Sequence, residues 1–200
     1  MPVSSFTNLN DTEQSELKKL VIQVLSDAVI SKSLQLPSEP KYPALLVPAA
    51  CFVTLYNGQQ LRGCIGTYGA DQALWLNVCR YSYYSAFEDR RFSPLTEGEL
   101  EDIRFEISIL SELEPITNNG ETALLQQLQV GIDGLLLKEK PRSAIFLPSV
   151  WDSLTTPFDF LQALKRKGGW PGNYWSSNIE LFKFSTFAIA GKVKDNKVEQ

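Results

Sequence analysis

The chain has 200 residues, of which 44% are hydrophobic and 21% charged, a composition typical of a globular protein that needs no disulfide or metal to hold its core. Its net charge of −4 disfavours a general polyanion-binding surface. Because the chain contains no histidine, it has no Ser-His-Asp triad, no Cys-His dyad and no histidine-ligated zinc or iron site.

An amphipathic helix is predicted from Thr12 to about Ser31. Its apolar residues recur at steps of three and one, which gives one apolar stripe: Leu17, Leu20, Val21, Val24, Leu25, Ala28 and Val29. Thr12 or Asp11 is expected to cap its first turn. The proline-spaced segment 37–48 is predicted to be an ordered loop, because proline lacks the amide donor and fixes its own backbone.

A β-hairpin is predicted next. Its strands, Ala50–Tyr56 and Leu61–Thr67, are joined through Asn57-Gly58, two residue types that readily adopt positive φ. A helix capped by Asp71 is expected from about Gln72 to Phe87. Because that helix is apolar nearly all round, it should be buried on several sides or line a cleft.

Further strands and short helices follow. Thr96–Glu99 has the capping-box pattern that starts a short helix, and the alternation in Arg104–Glu112 predicts a half-buried strand. The remaining predicted elements are a loop at 118–120, a helix at Thr122–Leu128, a hairpin of Gly134–Lys138 and Ala144–Leu147, a helix from Pro157 that Gly168 ends, a last strand at Glu180–Ile189, and a polar tail from Gly191. Hairpins mixed with helices, without regular βαβ alternation, predict an α+β fold with a largely antiparallel sheet and flanking helices.

The three cysteines, Cys51, Cys64 and Cys79, are too few and too widely spaced for a typical zinc or iron–sulfur site. We therefore expect no metal and no cofactor. The odd number of cysteines and the lack of a secretion signal or a membrane-spanning apolar run predict a cytoplasmic protein without membrane association.

The segment Leu61–Thr67 carries the strongest chemical signal. Gly63 and Gly66 remove side chains beside the Cys64 thiol, which lets a ligand or another backbone approach closely. Arg62 is expected on the strand face of Cys64, where a guanidinium would favour the thiolate. The alternative is a small buried cysteine in a strand bend, with Arg62 in a structural ion pair.

The hairpin register decides which residue faces Cys64. A two-residue turn at Asn57-Gly58 would place Cys51 opposite Cys64, whereas a four-residue turn through Gln60 would place Val53 there. Both registers put Cys51 and Cys64 on one face. The two thiols would then be a redox pair or, as is usual in a reducing compartment, two separate reduced cysteines.

The hexapeptide Leu-Arg-Gly-Cys-Ile-Gly at Leu61–Gly66 resembles the signature of the AMMECR family, named for the AMME syndrome candidate gene protein. Other blocks resemble the family in the same order: Phe52–Leu55, Glu88–Thr96, Glu106–Ile116, Gly134-Leu135, Phe146–Trp151 and Leu164–Gly169. The resemblance covers about Leu17 to Phe184. We therefore expect one AMMECR-type domain over residues 1–200, with a core of about 12–189 and a polar tail at 191–200.

Two residues depart from the family pattern. Gly169 stands where bacterial members usually have alanine, and Cys51 is not part of the pattern, which weakens the idea of a redox pair. The resemblance implies two unequal lobes with a cleft between them and the signature near that cleft. It also implies an accessory role, because many bacterial and archaeal relatives resemble one component of a set called AmmeMemoRadiSam, beside a Memo-like protein and a radical S-adenosylmethionine enzyme.

Other polar residues are candidates for the same site. Asp89 and Arg91 could position an anionic or polar ligand, or form a helix-end ion pair with Arg90 or Glu88. Glu106, on the polar face of its strand, is the best carboxylate for a general base near Cys64; the alternative is a solvated strand face. Lys167 suits a helix end, where it favours the carbonyl dipole, and the family match adds a ligand-binding role. Residues 165–167 are otherwise expected to be a solvated basic cluster.

Three functions compete. The first is an accessory protein that binds a small molecule, peptide or partner with Arg62, Gly63, Gly66, Asp89, Arg91 and Lys167. The second is an enzyme with Cys64 as nucleophile and Glu106 as base. The third is a nucleic-acid accessory factor, which the acidic composition disfavours. A homodimer is left open.

Overall fold

The computed structural model describes residues 9–194, which form two compact units: residues 9–110 with 187–194, and residues 111–186. The helices are α1 (Asp11–Ser31), α2 (Pro43–Leu46), α3 (Leu74–Phe87), α4 (Glu121–Gln127) and α5 (Pro157–Lys167), with 3-10 helices at Glu97–Asp102 and Pro148–Asp152. The strands are β1 (Cys51–Asn57), β2 (Gln60–Gly66), β3 (Ile103–Leu110), β4 (Glu114–Ile116), β5 (Gly134–Glu139), β6 (Arg142–Phe146), β7 (Glu180–Phe184) and β8 (Thr186–Lys192).

The first unit is a four-stranded sheet in the order β2-β1-β3-β8, and α3 packs against β1, β2 and α1. Strand alternation sends Cys51, Val53 and Leu55 into the core on the helix side, where all three are fully buried. The opposite face of the sheet carries the polar residues Thr54 and Glu106. This one-sided burial is typical of an antiparallel sheet, and it leaves a polar face available for function.

The second unit is another four-stranded sheet, in the order β4-β7-β5-β6. Its core includes a stacked pair, Trp151 and Phe160, whose ring centroids lie 3.9 Å apart. Both sheets are built from antiparallel pairs where the register is known, and helices flank them. The prediction of an α+β fold is therefore confirmed.

The predicted N-terminal caps of α1 and α3 were wrong. Asn10 caps α1, because its side chain accepts from the N–H groups of Thr12 and Glu13 while Glu13 accepts from Asn10 in return. Helix α3 begins at Leu74 rather than Gln72, and its cap residue is Ala73. There the N–H of Leu74 donates to the Val47 carbonyl of the proline-spaced loop. This tertiary hydrogen bond satisfies an N–H at the helix start that a capping side chain would otherwise satisfy.

The prediction of one continuous last strand over Glu180–Ile189 was wrong. Ser185 interrupts it, and the two halves are β7 in the second sheet and β8 in the first. Strand β8 also extends into the predicted tail as far as Lys192, and residues 195–200 of that tail lie outside the described residues.

Candidate functional site

A β-bulge sets the register of the first hairpin. Leu55 pairs with Gly63, whereas the next residue, Tyr56, pairs with Leu61. Arg62 is therefore an extra residue in β2. Because side chains alternate between the two faces of a strand, a slip of one residue moves each later side chain to the other face.

The bulge places Thr54, rather than Cys51 or Val53, opposite Cys64. Both predicted partners were wrong, and Cys51 lies on the core face while Cys64 lies on the polar face. All three cysteines are thiols. Cys51 and Cys64 are therefore two separate reduced cysteines, the alternative that is usual in a reducing compartment, and not a redox pair. Burial raises the pKa of Cys51 far above its usual value and that of Cys79 to about 12.

Three side chains form a row across the polar face. Thr54 lies opposite Cys64 on one side and opposite Glu106 on the other. The Thr54 hydroxyl donates to Cys64 Sγ at 3.3 Å, and Glu106 accepts from Ser108 at 3.0 Å. Cys64 and Glu106 are both half-buried. We call the polar face around Cys64, Thr54 and Glu106 the signature face.

The spacing in this row limits the role of Glu106. Neighbouring strands lie about 4.8 Å apart, so the backbones of Glu106 and Cys64 lie roughly 10 Å apart, with Thr54 between them. A general base must lie within hydrogen-bonding distance of the proton it takes, or one water away. The structure thus brings Cys64 and Glu106 onto one face, and a base role for Glu106 requires its carboxylate to reach across Thr54.

The loop after α3 holds the backbone of Cys64. Asp89 accepts from the Cys64 N–H at 2.9 Å, and Arg91 donates to the Cys64 carbonyl at 3.4 Å. Because both groups point to the loop, Thr54 and Cys64 form a pair without backbone hydrogen bonds, the kind whose side chains lie closest. The loop also covers the edge of β2, which would otherwise be open to pairing with another chain.

Asp89 and Arg91 form an ion pair with each other. Arg91 donates to Asp89 at 2.6 Å and 2.9 Å, and the Asp89 side chain is only 7% exposed. The hydrogen bonds between the two side chains are the main cause that lowers the pKa of Asp89 to about 2, and they also raise the pKa of Arg91. Cys64 also raises the pKa of Arg91, by a smaller amount. Asp89 therefore has a structural role, whereas the side chain of Arg91 is 56% exposed and can still meet a ligand.

Arg62 is held in the structural ion pair that was the alternative prediction. Its guanidinium donates to both carboxylate oxygens of Glu99, at 2.7 and 3.2 Å, and to the Ser93 carbonyl at 2.9 Å. Hydrogen bonding by Arg62 is the main reason that the pKa of Glu99 falls to about 2. The Arg62 Nη1 atom is buried and has no hydrogen-bond partner within residues 9–194.

The signature glycines make room for neighbouring backbone. A Cβ on Gly63 would collide with the Ser85 carbonyl of α3, and one on Gly66 would collide with Cys51 and Phe52. Of the two explanations for these glycines, the structure supports the approach of another backbone rather than of a ligand.

Lys167 lies in the second unit, whereas the other predicted site residues lie in the first. Its ammonium donates to the Ile145 carbonyl at 2.8 Å. The neighbouring Lys165 is only 1% exposed and donates to Glu121 and to the Tyr174 carbonyl, so the prediction of a solvated cluster was wrong for Lys165. The sequence does contain a signal that predicts this burial: Lys165 lies on the same apolar helix stripe as Leu161 and Leu164.

An open cavity of about 450 Å³ adjoins the signature face at Glu106. Its lining comes from β1, β3, β8 and the hairpin turn: Tyr56, Gln59, Arg104, Phe105, Glu106, Ala190, Gly191 and Lys192. Sequence reasoning missed it because β8 reaches β3 only after the whole second unit. Within residues 9–194, no group of three or more cysteine, aspartate or glutamate residues is placed to hold a metal ion.

In the described part of the chain, none of the helices combines the length and the apolarity needed to cross a membrane.

The comparisons with known proteins agree with one another. The AMMECR1 family profile matches residues 18–189. The chain is 33% identical over 170 residues to Protein Ta0236 of Thermoplasma acidophilum, covering 83% of this chain and 82% of that protein. It is 30% identical over 175 residues to Protein NEQ441 of Nanoarchaeum equitans, covering 84% and 94%.

The crystal structure of the uncharacterized protein PH0010 from Pyrococcus horikoshii is similar in fold, with a TM-score of 0.82 and 26% sequence identity over 90% of this chain and 92% of that one. The names of these relatives assign no reaction. The chain belongs to the AMMECR1 family.

Proposed function

We propose that the chain is an accessory protein that binds a small molecule or a peptide on the signature face. The observation that carries this proposal is the row of Cys64, Thr54 and Glu106 across three rigid strands, with an open cavity beside it. Sites built on strands hold their side chains more firmly than sites on loops. A cavity lined by a few convergent polar groups is the usual form of a small-molecule site.

The family resemblance supports a partner role as well. A ligand held on the signature face could be presented to a Memo-like protein and a radical S-adenosylmethionine enzyme. Size-exclusion chromatography of the three purified proteins tests this part of the proposal. Co-elution of at least one pair supports it, and separate elution of all three at micromolar concentration contradicts it.

Chemical-shift mapping tests ligand binding. The ¹⁵N-labelled protein is titrated with pools of amino acids, nucleosides and short peptides, and we expect shifts that cluster at the amides of Cys64, Thr54 and Glu106. Thr54→Val keeps the side-chain shape and removes the hydroxyl, so it should weaken those shifts. Thr122→Val, at an exposed threonine of α4, is the matched control. Shifts confined to the second unit, or none with any pool, would contradict the proposal.

A second candidate function is a Cys64-dependent enzyme. The observation that favours it is the hydroxyl of Thr54 donating to Sγ, because such a bond stabilises a thiolate. The test is the alkylation rate of Cys64 against pH, resolved by mass spectrometry, with buried Cys51 and Cys79 as internal controls. An apparent pKa well below about 8.5 that rises in Thr54→Val would support a nucleophile. Reaction of Cys64 only after unfolding would rule it out.

A further inference from the structure

We propose that the cavity beside Glu106 binds a small dicarboxylate that also carries an N–H donor, the chemistry of an acidic amino acid or of a peptide with an acidic C-terminal residue. This inference rests on the proposed function, because it names the ligand class of the signature face. It begins from the charges around the cavity, which are the cations Arg104 and Lys192 and the carboxylate Glu106.

Arg104 is fixed in place at the wall of the cavity. Its Nε and Nη2 atoms donate to the Gly58 carbonyl at 3.1 and 2.8 Å, and its guanidinium lies 5.7 Å from the centroid of the Tyr56 ring. A guanidinium anchored on one side presents its remaining donors in a fixed direction. It is therefore ready to receive a carboxylate without a large cost in side-chain entropy.

Small residues of β8 open the space between these charges. Ala190 and Gly191 line the cavity, and a Cβ on Gly191 would collide with the Phe105 ring. Strand β8 thus lies close against β3 at this point. The short side chain of Ala190 occupies little of the cavity that Glu106 and Lys192 also line.

The three charges do not neutralise one another. Within residues 9–194, no ion pair involves Arg104, Lys192 or Glu106. Glu106 accepts one hydrogen bond, from Ser108, and a carboxylate can accept several. Two cations and one carboxylate complement a ligand with two carboxylates and one N–H group. Such a ligand would satisfy all three lining groups at once.

Chemical-shift titration with defined probes tests the inference. L-glutamate is the free amino acid probe, Ala-Glu the peptide probe, glutarate the dicarboxylate without an N–H group, and L-lysine the cationic control. We expect L-glutamate or Ala-Glu to shift the amides of Gln59, Arg104 and Lys192, with glutarate about tenfold weaker and L-lysine inactive. Tighter binding of L-glutamate would identify the ligand as a free amino acid, and tighter binding of Ala-Glu would identify it as a peptide.

Surface variants check the assignment. Lys192→Gln and Glu106→Gln should each weaken binding about tenfold, whereas Lys194→Gln, an exposed lysine outside the cavity, should change it less than about twofold. Glutarate binding as tightly as L-glutamate would overturn the inference, because Glu106 would then have no role. No shift at the cavity with any probe up to 10 mM, about ten-thousandfold above a micromolar dissociation constant, would also overturn it. Shifts at Cys64 and Thr54 with other compounds would in that case leave the proposed function standing.

Discussion

Replacement of Asp89 by asparagine tests how the signature strand is held in place. The change preserves the size of the side chain and removes the negative charge that accepts from the Cys64 N–H and from Arg91. We expect the folded state to lose the part of its stability that depends on this charge. The loop after α3 should also loosen at the edge of β2.

The pKa of Asp89 gives the magnitude. Its value falls from 3.8 to about 2 on folding, and each pKa unit corresponds to about 1.4 kcal/mol, so the charge contributes about 2 kcal/mol at neutral pH. Because the folded-state pKa is lowered, this stability is fully present above about pH 4. It is lost as the pH falls through about 2, where the folded protein takes up the proton.

Urea denaturation followed by circular dichroism measures the effect. The free energy of unfolding of Asp89→Asn should be about 2 kcal/mol lower than that of the wild type at pH 7. This difference should shrink below pH 4. Asp102→Asn, at an exposed aspartate of the same unit, is the matched control and should stay close to the wild type. An Asp89→Asn variant as stable as the wild type at pH 7, or a difference that persists near pH 2, would refute the reasoning.

Two further substitutions test packing by thermal denaturation. Gly63→Ala should cost about 2–3 kcal/mol, because its Cβ meets the Ser85 backbone, whereas Gly98→Ala has open space and should be neutral; equal melting temperatures would contradict this. Lys165→Met should destabilise the second unit by about 2 kcal/mol, because it removes the buried ammonium that donates to the half-buried Glu121 carboxylate and to the Tyr174 carbonyl. The exposed Arg166→Met is its control, and equal effects of the two would contradict a role for the Lys165–Glu121 ion pair.

The sequence predicts elements well where the pattern is local. The apolar stripe that begins at Leu17, Gly58 of the first hairpin and the Pro157 helix start are each written within a few residues of the element they specify. The hairpin turn itself lies one residue later than predicted, because Asn57 pairs with Gln60 and the connecting residues are Gly58 and Gln59. Helix α1, the first hairpin and α5 accordingly occur within about two residues of their predicted bounds. The capping box at Thr96 and Glu99 is also present, although the helix that it starts is of the 3-10 type.

Features that depend on distant contacts could not be predicted in this way. Nothing in the sequence marks Arg62 as a bulge, since the pairing of β2 with β1 decides it. The alternation of Glu180–Ile189 continues across Ser185 because both β7 and β8 bury one face, even though they lie in different sheets. Lys165 was assigned to solvent by residue type alone, and its carboxylate partner, Glu121, is 44 residues away.

The fold accounts for three residues of the signature hexapeptide through packing and hydrogen bonding. Arg62 is the extra residue of the bulge and forms the ion pair with Glu99, and Gly63 and Gly66 allow close backbone approach. The backbone of Cys64 is held by Asp89 and Arg91, a role that any residue with a backbone N–H could fill. None of these contacts requires a thiol at position 64, where a half-buried side chain faces Thr54. A side chain that these contacts do not require is a candidate for function, and Cys64 is therefore the residue of the signature to test first.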